Sequence, residues 1–316
     1  MATEKPRLAF VFPGQGSQKV GMGRAWCERH AESAAVFAEA DAALGMPLAR
    51  LCFEGPEDEL QLTANTQPAI LAASAAMAAV VTASAAAAGV APVVVAGHSL
   101  GEYTAHVVAG TLPLAVALRL VRRRGELMQE AVPVGVGAMA ALLGLAPEAA
   151  AEVAAAAAAG EVCSVANFNS PEQVVLAGHR AAVERAMVLA RERGAKRALP
   201  LPVSAPFHCA LMQPAAHKMA EALSAVVISK PSVPVVVNVR AEAVTEPDRI
   251  FDLLVAQVTG AVRWRESVLW MERAGVTEFW EIGAGKALSG MIKRIVSGEA
   301  TCRAIGTPED VVAAKG

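Results

Sequence analysis

The sequence has no excess of charge of either sign. Twenty-eight Lys and Arg stand against thirty Asp and Glu, a net of −2. A chain so balanced has no general attraction to nucleic acid or to an anionic membrane, and neither is expected as a partner. A cysteine pattern is missing too. Cys27, Cys52, Cys163, Cys209 and Cys302 are odd in number and widely spread, with no C-x-x-C. That spacing offers neither a disulfide framework nor a zinc site, so no metal is expected. Residues Met1 to Arg7 contain no apolar stretch of the kind a signal peptide needs. The longest apolar run, 69–95, is rich in Ala and Ser and broken by Gly89 and Pro92. It reads as a buried helix followed by a strand, not a membrane span. Internal repeats, long linkers and low-complexity tails are absent as well. The expectation is a soluble, reduced, cytoplasmic protein.

Hydrophobic residues make up 54% and charged residues 18% of the 316. A large buried core is easy to build from this, in one large domain or two unequal ones. Much of the apolar content is alanine, which favours helices.

The chain is organised around 93–102. The β-branched run Val93-Val94-Val95-Ala96 ends in Gly97-His98-Ser99-Leu100-Gly101, and a helix-competent segment follows. In that strand–turn–helix context G-x-S-x-G reads as a nucleophile elbow, with glycines where strand and helix must come close. Ser99 would stand at the carboxyl edge of the strand. The backbone N–H of Leu100, at the helix start, would face an oxyanion. The competing reading is a tight turn with a capping serine.

Upstream, 8–12 reads as a buried strand, and Pro13-Gly14-Gln15-Gly16-Ser17-Gln18 as a glycine-rich loop. The spacing matches neither a Rossmann fingerprint nor a P-loop, but it brings bare N–H groups and amides to a site at the strand ends. A helix is expected over 31–44, and a long one within 60–91, with Thr66 as a cap and Pro68 in the first turn. Another runs over 114–131. From 132 the texture changes. Strand 136–143, helix 147–159, strands 162–168 and 174–176, helix 180–193 and strand 198–203 follow in the order β-α-β-β-α-β, the ferredoxin-like arrangement. Later come a strand at 233–239, helices over 248–258 and 266–274, strand 278–282 and a helix over 287–296.

A serine needs a base. Among six histidines, His98 adjoins the serine, and neighbouring side chains in a turn diverge. His30, His106, His179 and His217 lie in or beside helical or surface segments. His208 sits in a loop between a strand and a helix, after Pro206 and Phe207, where loop residues meet a site. No Asp or Glu stands out in a loop as a third member, which favours a Ser–His dyad oriented by a carbonyl or an amide. Arg122, Arg123 and Arg124 cannot all face one way on a helix. Such a run is usually a solvated face, but one pointing inward would offer a fork for a carboxylate.

Taken together, Phe12-Pro13-Gly14-Gln15-Gly16-Ser17-Gln18, Gly97-His98-Ser99-Leu100-Gly101-Glu102, Asn167-Phe168-Asn169-Ser170-Pro171 and Phe207-His208-Cys209-Ala210-Leu211-Met212 resemble the malonyl-CoA:acyl carrier protein transacylases of bacterial fatty-acid synthesis. Thr66-Gln67-Pro68-Ala69, Arg124-Gly125 and Glu281-Ile282-Gly283 fit as well. The resemblance spans the whole chain. It implies an α/β-hydrolase-like large subdomain with a parallel sheet, over 1–131 and 203–316, and an inserted ferredoxin-like small subdomain over 132–202. Ser99 would carry the acyl group as an ester, and His208 would be base and acid. Gln15 and Leu100 would supply the oxyanion N–H groups. Arg124 would pair with the malonyl carboxylate, Gln257 would orient His208 through its carbonyl, and Asn167 would line the cleft. The reaction would be ping-pong transfer from malonyl-CoA to the phosphopantetheine thiol of acyl carrier protein, by a monomer without a cofactor. Phe207 fits malonyl over methylmalonyl. Lys196, Arg197, Lys286, Lys293 and Arg294 are candidates for a basic rim that meets an acidic carrier. Ala284 and His106 depart from the family pattern. The alternatives are a polyketide-type acyltransferase, a serine thioesterase or esterase, and a non-catalytic scaffold of the same fold.

Overall fold

The computed structural model describes residues 7–203, 205–298 and 300–313. The signal-peptide reading of residues 1–6 and the loop position Ser204 lie outside them.

Two sheets organise the chain. The first has the order β10-β9-β1-β2-β7-β8. Its strands are β1 (Leu8–Phe12), β2 (Pro92–Gly97), β7 (Val235–Val237), β8 (Glu242–Val244), β9 (Glu278–Ile282) and β10 (Thr301–Ile305). Neighbours run parallel throughout, except that β8 is an antiparallel edge beside β7. β1 is central, and every one of its residues is fully buried. That is why Leu-Ala-Phe-Val-Phe shows no polar alternation: a parallel strand covered on both faces reads as an unbroken apolar run. Phe12 lies opposite Gly97 in the register, so the glycine loop after β1 and the turn after β2 leave the sheet at one carboxyl edge. Ligand sites of open α/β sheets form at such edges.

The helix Thr63–Ala87 is long and apolar enough to span a membrane by length and composition. Sixteen of its 25 residues are buried inside the protein. Its alanines let the helices Ala31–Leu44 and Leu114–Glu130 pack close. Thr66 is not the cap of this helix; Leu62 holds that position. The helix begins at Thr63, so Thr66 lies inside it and its hydroxyl donates to the Leu60 carbonyl (2.6 Å). Pro68 is its sixth residue and removes one N–H from the helical ladder. The carbonyl left without that donor, Ala64 O, accepts from Arg122 Nη1 at 3.4 Å.

The second sheet has the order β4-β5-β3-β6, antiparallel throughout. It consists of β3 (Gly137–Leu143), β4 (Cys163–Ser170), β5 (Gln173–His179) and β6 (Arg197–Pro200). With helices Pro147–Ala158 and Arg180–Glu192, its connections are consistent with the ferredoxin-like order. Strand period divides its side chains in two. Ala140, Leu142, Val174 and Leu176 join the helices in a core of their own. Met139, Ala141, Val175 and Ala177 face the main core. A short parallel bridge ties the sheet to the rest: Phe168 N–H donates to Val262 O (2.9 Å), and Val262 N–H to Ala166 O (2.8 Å).

Boundaries differ in places. β6 ends at Pro200, so Leu201 and Val203 lie in a loop. The short helices Leu48–Glu54 and Glu57–Gln61 and the strands β8 and β10 were not expected. Each is too short or too mixed in polarity to have a clear period.

Candidate active site

Ser99 occupies the residue before the helix Leu100–Val108 without a side-chain capping bond, at φ 51° and ψ −104°, a conformation that serine rarely adopts. The strain is held from three sides. A Cβ on Gly97 would come within 1.9 Å of the Gly101 carbonyl carbon, and one on Gly101 within 2.1 Å of Phe12 O. Gly14 approaches just as closely: its Cβ would meet His98 O at 2.3 Å, so the glycine loop lies against the elbow backbone. Asn238, at the end of β7, clamps the turn. Its Oδ1 accepts from Ser99 N–H (2.7 Å) and its Nδ2 donates to Gly97 O (2.7 Å). Gly97→Ala therefore forces backbone against backbone. The expected cost is more than about 2 kcal/mol, read as a lower urea midpoint at unchanged slope.

Ser99 Oγ lies 2.7 Å from His208 Nε2. His208 Nδ1 faces two carbonyl oxygens, of Gln257 at 2.9 Å and Gly260 at 3.1 Å. Carbonyls only accept, so Nδ1 carries the hydrogen and Nε2 presents its lone pair to the hydroxyl. His208 is itself in the left-handed region, at φ 58°. Burial, and then the Arg124 cation, push its pKa down to about 3, which keeps the imidazole a neutral base.

The arginine run resolves into three environments. Arg122 is half-buried and bonds to Glu126 Oε1 (2.8 Å) and to Asn65. Arg123 is exposed beside Glu126. Arg124 is 2% exposed and points inward. Its Nη1 donates to Gln67 Oε1 (2.9 Å), and its Nη2 to Gln257 Oε1 (3.0 Å) and Ser99 Oγ (3.2 Å). Its carbon Cζ sits 5.7 Å from the centre of the Tyr103 ring. Gly125 makes the inward turn possible, because a Cβ there would meet Ala64 Cα and Thr63 O at 2.8 Å.

These groups share a cavity of about 130 Å³. Gln15, Gln67, His98, Ser99, Arg124, Asn167 and His208 supply its polar wall, and Met128, Met139, Leu201, Val203 and Phe207 its apolar wall. A cavity of roughly 150 Å³ takes a ligand of six heavy atoms such as benzene, so the space suits a short acyl group. Gln15 is steadied by Nε2 donating to Thr63 Oγ1 (3.3 Å). Leu100 is the first residue of its helix, so its N–H has no acceptor within that helix. Asn167 reaches the cavity from β4. His98 Nε2 pairs with Asn169 Oδ1 at 2.8 Å instead of reaching the serine hydroxyl.

Three site residues escaped the sequence reading. Glu102 and Asn238 brace the elbow, and Gln67 holds Arg124. Asn238 ends the run Val235-Val236-Val237, and a polar residue at the end of a buried strand was an available signal. Asn169 sits at an irregularity in β4, two residues after Asn167, and meets the cavity residue His98. Cys209 adjoins the base, but burial pushes its thiol up to about 11 and it donates to Pro206 O, which leaves it a poor nucleophile. Arg197 is exposed at the start of β6, and Lys196 is exposed in the bend just before it. Lys286, Lys293 and Arg294 are exposed at the two ends of the helix Ala287–Ile295. Lys196 Nζ lies 3.5 Å from Glu172.

Burial also ties stability to pH. It lowers the pKa of His98 and takes His106 and His208 to about 3 from 6.5, while raising Glu102 from 4.5 to about 7. Between pH 6.5 and 4.5 the unfolded chain gains up to three histidine protons, while the native state holds one extra on Glu102. The unfolded state therefore binds more protons on balance, and stability falls as pH falls. The expected slope is ~1.4 kcal/mol per pH unit for each net proton. Urea unfolding across this window measures it, and a flat profile contradicts it.

The chain matches the acyl transferase domain family over residues 9–307. A malonyl CoA-acyl carrier protein transacylase of Escherichia coli strain K12 is 50% identical over 308 residues, 98% of each chain. The solved acyl carrier protein S-malonyltransferase of Vibrio cholerae superposes with a TM-score of 0.94 at 49% identity, covering 98% of this chain and 99% of its own. The malonyl-transacylase of a type II PKS, solved in complex with its acyl-carrier protein, gives 0.93 at 45% identity, covering 98% of both chains. With matches of this extent laid over a serine, a histidine and an inward arginine, the chain belongs to the acyl transferase domain family and, within it, to the malonyl CoA-acyl carrier protein transacylases.

Proposed function

We propose that this protein moves a malonyl group from malonyl-CoA to the phosphopantetheine thiol of acyl carrier protein through an ester on Ser99. One observation carries the proposal. The hydroxyl that faces His208 Nε2 at 2.7 Å also accepts from a buried guanidinium at 3.2 Å. Nucleophile and carboxylate receptor thus share one small cavity. Ser99 Oγ attacks the thioester carbonyl as His208 Nε2 takes its proton. The oxyanion is met by the N–H groups of Gln15 and Leu100. The C–S bond breaks, and the departing sulfur takes the proton from His208. The carrier thiol then gives its proton to His208 and attacks the ester, and Ser99 Oγ is reprotonated as it leaves. Arg124 holds the free carboxylate throughout. Gln257 O holds the His208 ring, and Asn167 lines the acyl pocket.

Acyl exchange changes no oxidation state, and we assign no cofactor. We read 132–202 as the small subdomain, inserted between 1–131 and 203–316, and place the protein in the cytoplasm as a monomer. Transfer onto a polyketide carrier is the second reading, supported by the likeness to the type II PKS transacylase. Competition between the two carriers for malonyl-enzyme separates them. Transferase is tested against hydrolase by the release of coenzyme A from malonyl-CoA. Sustained release only with holo carrier protein supports transfer, and equal sustained release into water overturns it.

A further inference from the structure

One pair of buried titratable groups has no part in the reaction above. Glu102 and His106 lie one turn apart on the helix Leu100–Val108, and both are fully buried. Glu102 Oε2 accepts from Gln257 Nε2 (2.9 Å) and Asn238 N–H (2.8 Å). Glu102 Oε1 has no hydrogen-bond partner among the described residues, and neither has either ring nitrogen of His106. The two orphans face each other, with Glu102 Oε1 and His106 Nε2 4.0 Å apart.

Arg124 poses the complementary problem. It is a buried cation whose hydrogen-bond partners, Gln67, Gln257 and Ser99, are all neutral. Buried charges need a counter-charge. The carboxylate that answers it is one amide away: Arg124 Nη2 donates to Gln257 Oε1, and Gln257 Nε2 donates to Glu102 Oε2. The helix Thr63–Ala87 and strands β1, β2 and β7, which pack on the Glu102 helix, carry no titratable side chain. The helix Leu114–Glu130 brings Arg124, and the Glu102 helix itself adds Tyr103 and His106. His208 meets Ser99 Oγ and the Gln257 and Gly260 carbonyls. Gln257 belongs to the helix Pro247–Thr259, whose Asp248, Arg249 and Asp252 are exposed.

We propose that Glu102 is the counter-charge of Arg124 while the acyl pocket is empty, and that it takes up a proton from solvent when a substrate carboxylate docks on Arg124, the new O–H being held by His106 Nε2. The proposal rests on the reading that Arg124 receives the malonyl carboxylate. Two carboxylates around one guanidinium in a dry site repel, and the one that can protonate does so. Burial already holds Glu102 near 7, against the pull of Gln257, Asn238 and Arg124, so both of its forms are populated at neutral pH. Burial keeps the His106 imidazole neutral, so it accepts the Glu102 proton without becoming a second cation. Glu102 and His106 are positioning residues: they set the charge that Arg124 sees and touch no reacting atom. A second carboxylate raises the Glu102 pKa further, so the loaded state binds more protons and malonyl binding strengthens as pH falls. The KM for malonyl-CoA should drop from about pH 8 to about pH 6, while that for acetyl-CoA should not.

The direct test mixes the protein with malonyl-CoA or acetyl-CoA at neutral pH in weak buffer with an indicator dye, with intact mass counting the acyl-enzyme in parallel. Malonylation should take up a measurable fraction of a proton per acylated site, because docking of a second carboxylate raises the Glu102 pKa further. Acetylation should take up none. Glu102→Gln keeps an oxygen for Gln257 and Asn238 and turns its amide N–H toward His106 Nε2, imitating the protonated acid. It should acylate with no proton uptake and with a pH-independent KM for malonyl-CoA. The proton balance of released coenzyme A is common to all arms and subtracts out. A malonyl adduct that forms with no uptake beyond that of Glu102→Gln overturns this inference and leaves the function standing. An adduct that does not form, or that is indifferent to Arg124→Ala, overturns the function itself.

Discussion

Ser99→Ala is expected to lower malonyl transfer by about 10,000-fold or more and to remove any covalent adduct. The size follows from what one oxygen does. It is the atom that bonds to the acyl carbon, it gives its proton to His208 at 2.7 Å, and it is aimed by a strained backbone that Gly97, Gly101 and Asn238 hold in place. His208→Ala should cost nearly as much, and the double variant little more than either alone, because the two act as a unit. Steady-state transfer to holo carrier protein, with circular dichroism to show an intact fold, measures both. A Ser99→Ala protein that keeps more than about 1% of wild-type turnover would mean that Ser99 is not the nucleophile.

Arg124→Ala should change which substrate is used, not whether acylation occurs. A buried, charge-assisted fork to a carboxylate is worth about 3–5 kcal/mol when one partner is removed, or about 150- to 5,000-fold in kcat/KM. Malonyl-CoA should lose that factor, while acetyl-CoA, with no carboxylate, should be used as well as before or better. The fold should tolerate the change. Gln67, Gln257 and Ser99 are neutral groups that do not become unpaired charges. Glu102, already pushed up to about 7, goes further toward its neutral form once the cation is gone. Kinetics with both thioesters at saturating carrier protein decide the matter, and an equal loss with each would make Arg124 structural.

Much of this arrangement was legible in the residues. The unbroken apolar runs of β1 and β2, ended by Pro13-Gly14 and by Gly97, read as strands whose following loops meet a site at the strand ends, and the parallel sheet followed from the family resemblance. The G-x-S-x-G spacing was informative because glycine on either side of serine has a steric meaning, which the 1.9 and 2.1 Å approaches make concrete. His208 stood out as a histidine in a loop between a strand and a helix. Choosing among three consecutive arginines was beyond local pattern, because their direction depends on Gly125 packing against Ala64, a contact 61 residues apart in sequence. Distance in sequence hid the rest of the polar network as well. Gln257 meets Glu102 across 155 residues, and Asn238 meets Ser99 across 139. A buried amide or carboxylate of this kind looks in sequence like any other helix or strand-end polar residue. Pro68 misled in a simpler way, since proline favours the first turn of a helix, and here an arginine from a neighbouring helix makes its deeper position tolerable.

Malonyl is expected to pass through an oxygen ester on Ser99. Peptide mapping tests it most directly: mix the protein with malonyl-CoA, quench in acid, digest, and locate the added mass, with and without a chase of holo acyl carrier protein. One malonyl group is expected on the peptide containing Ser99, gone after the chase and recovered on the carrier thiol. Malonyl on the neighbouring Cys209, or on any residue other than Ser99, or an ester at Ser99 that the carrier cannot discharge, would contradict it.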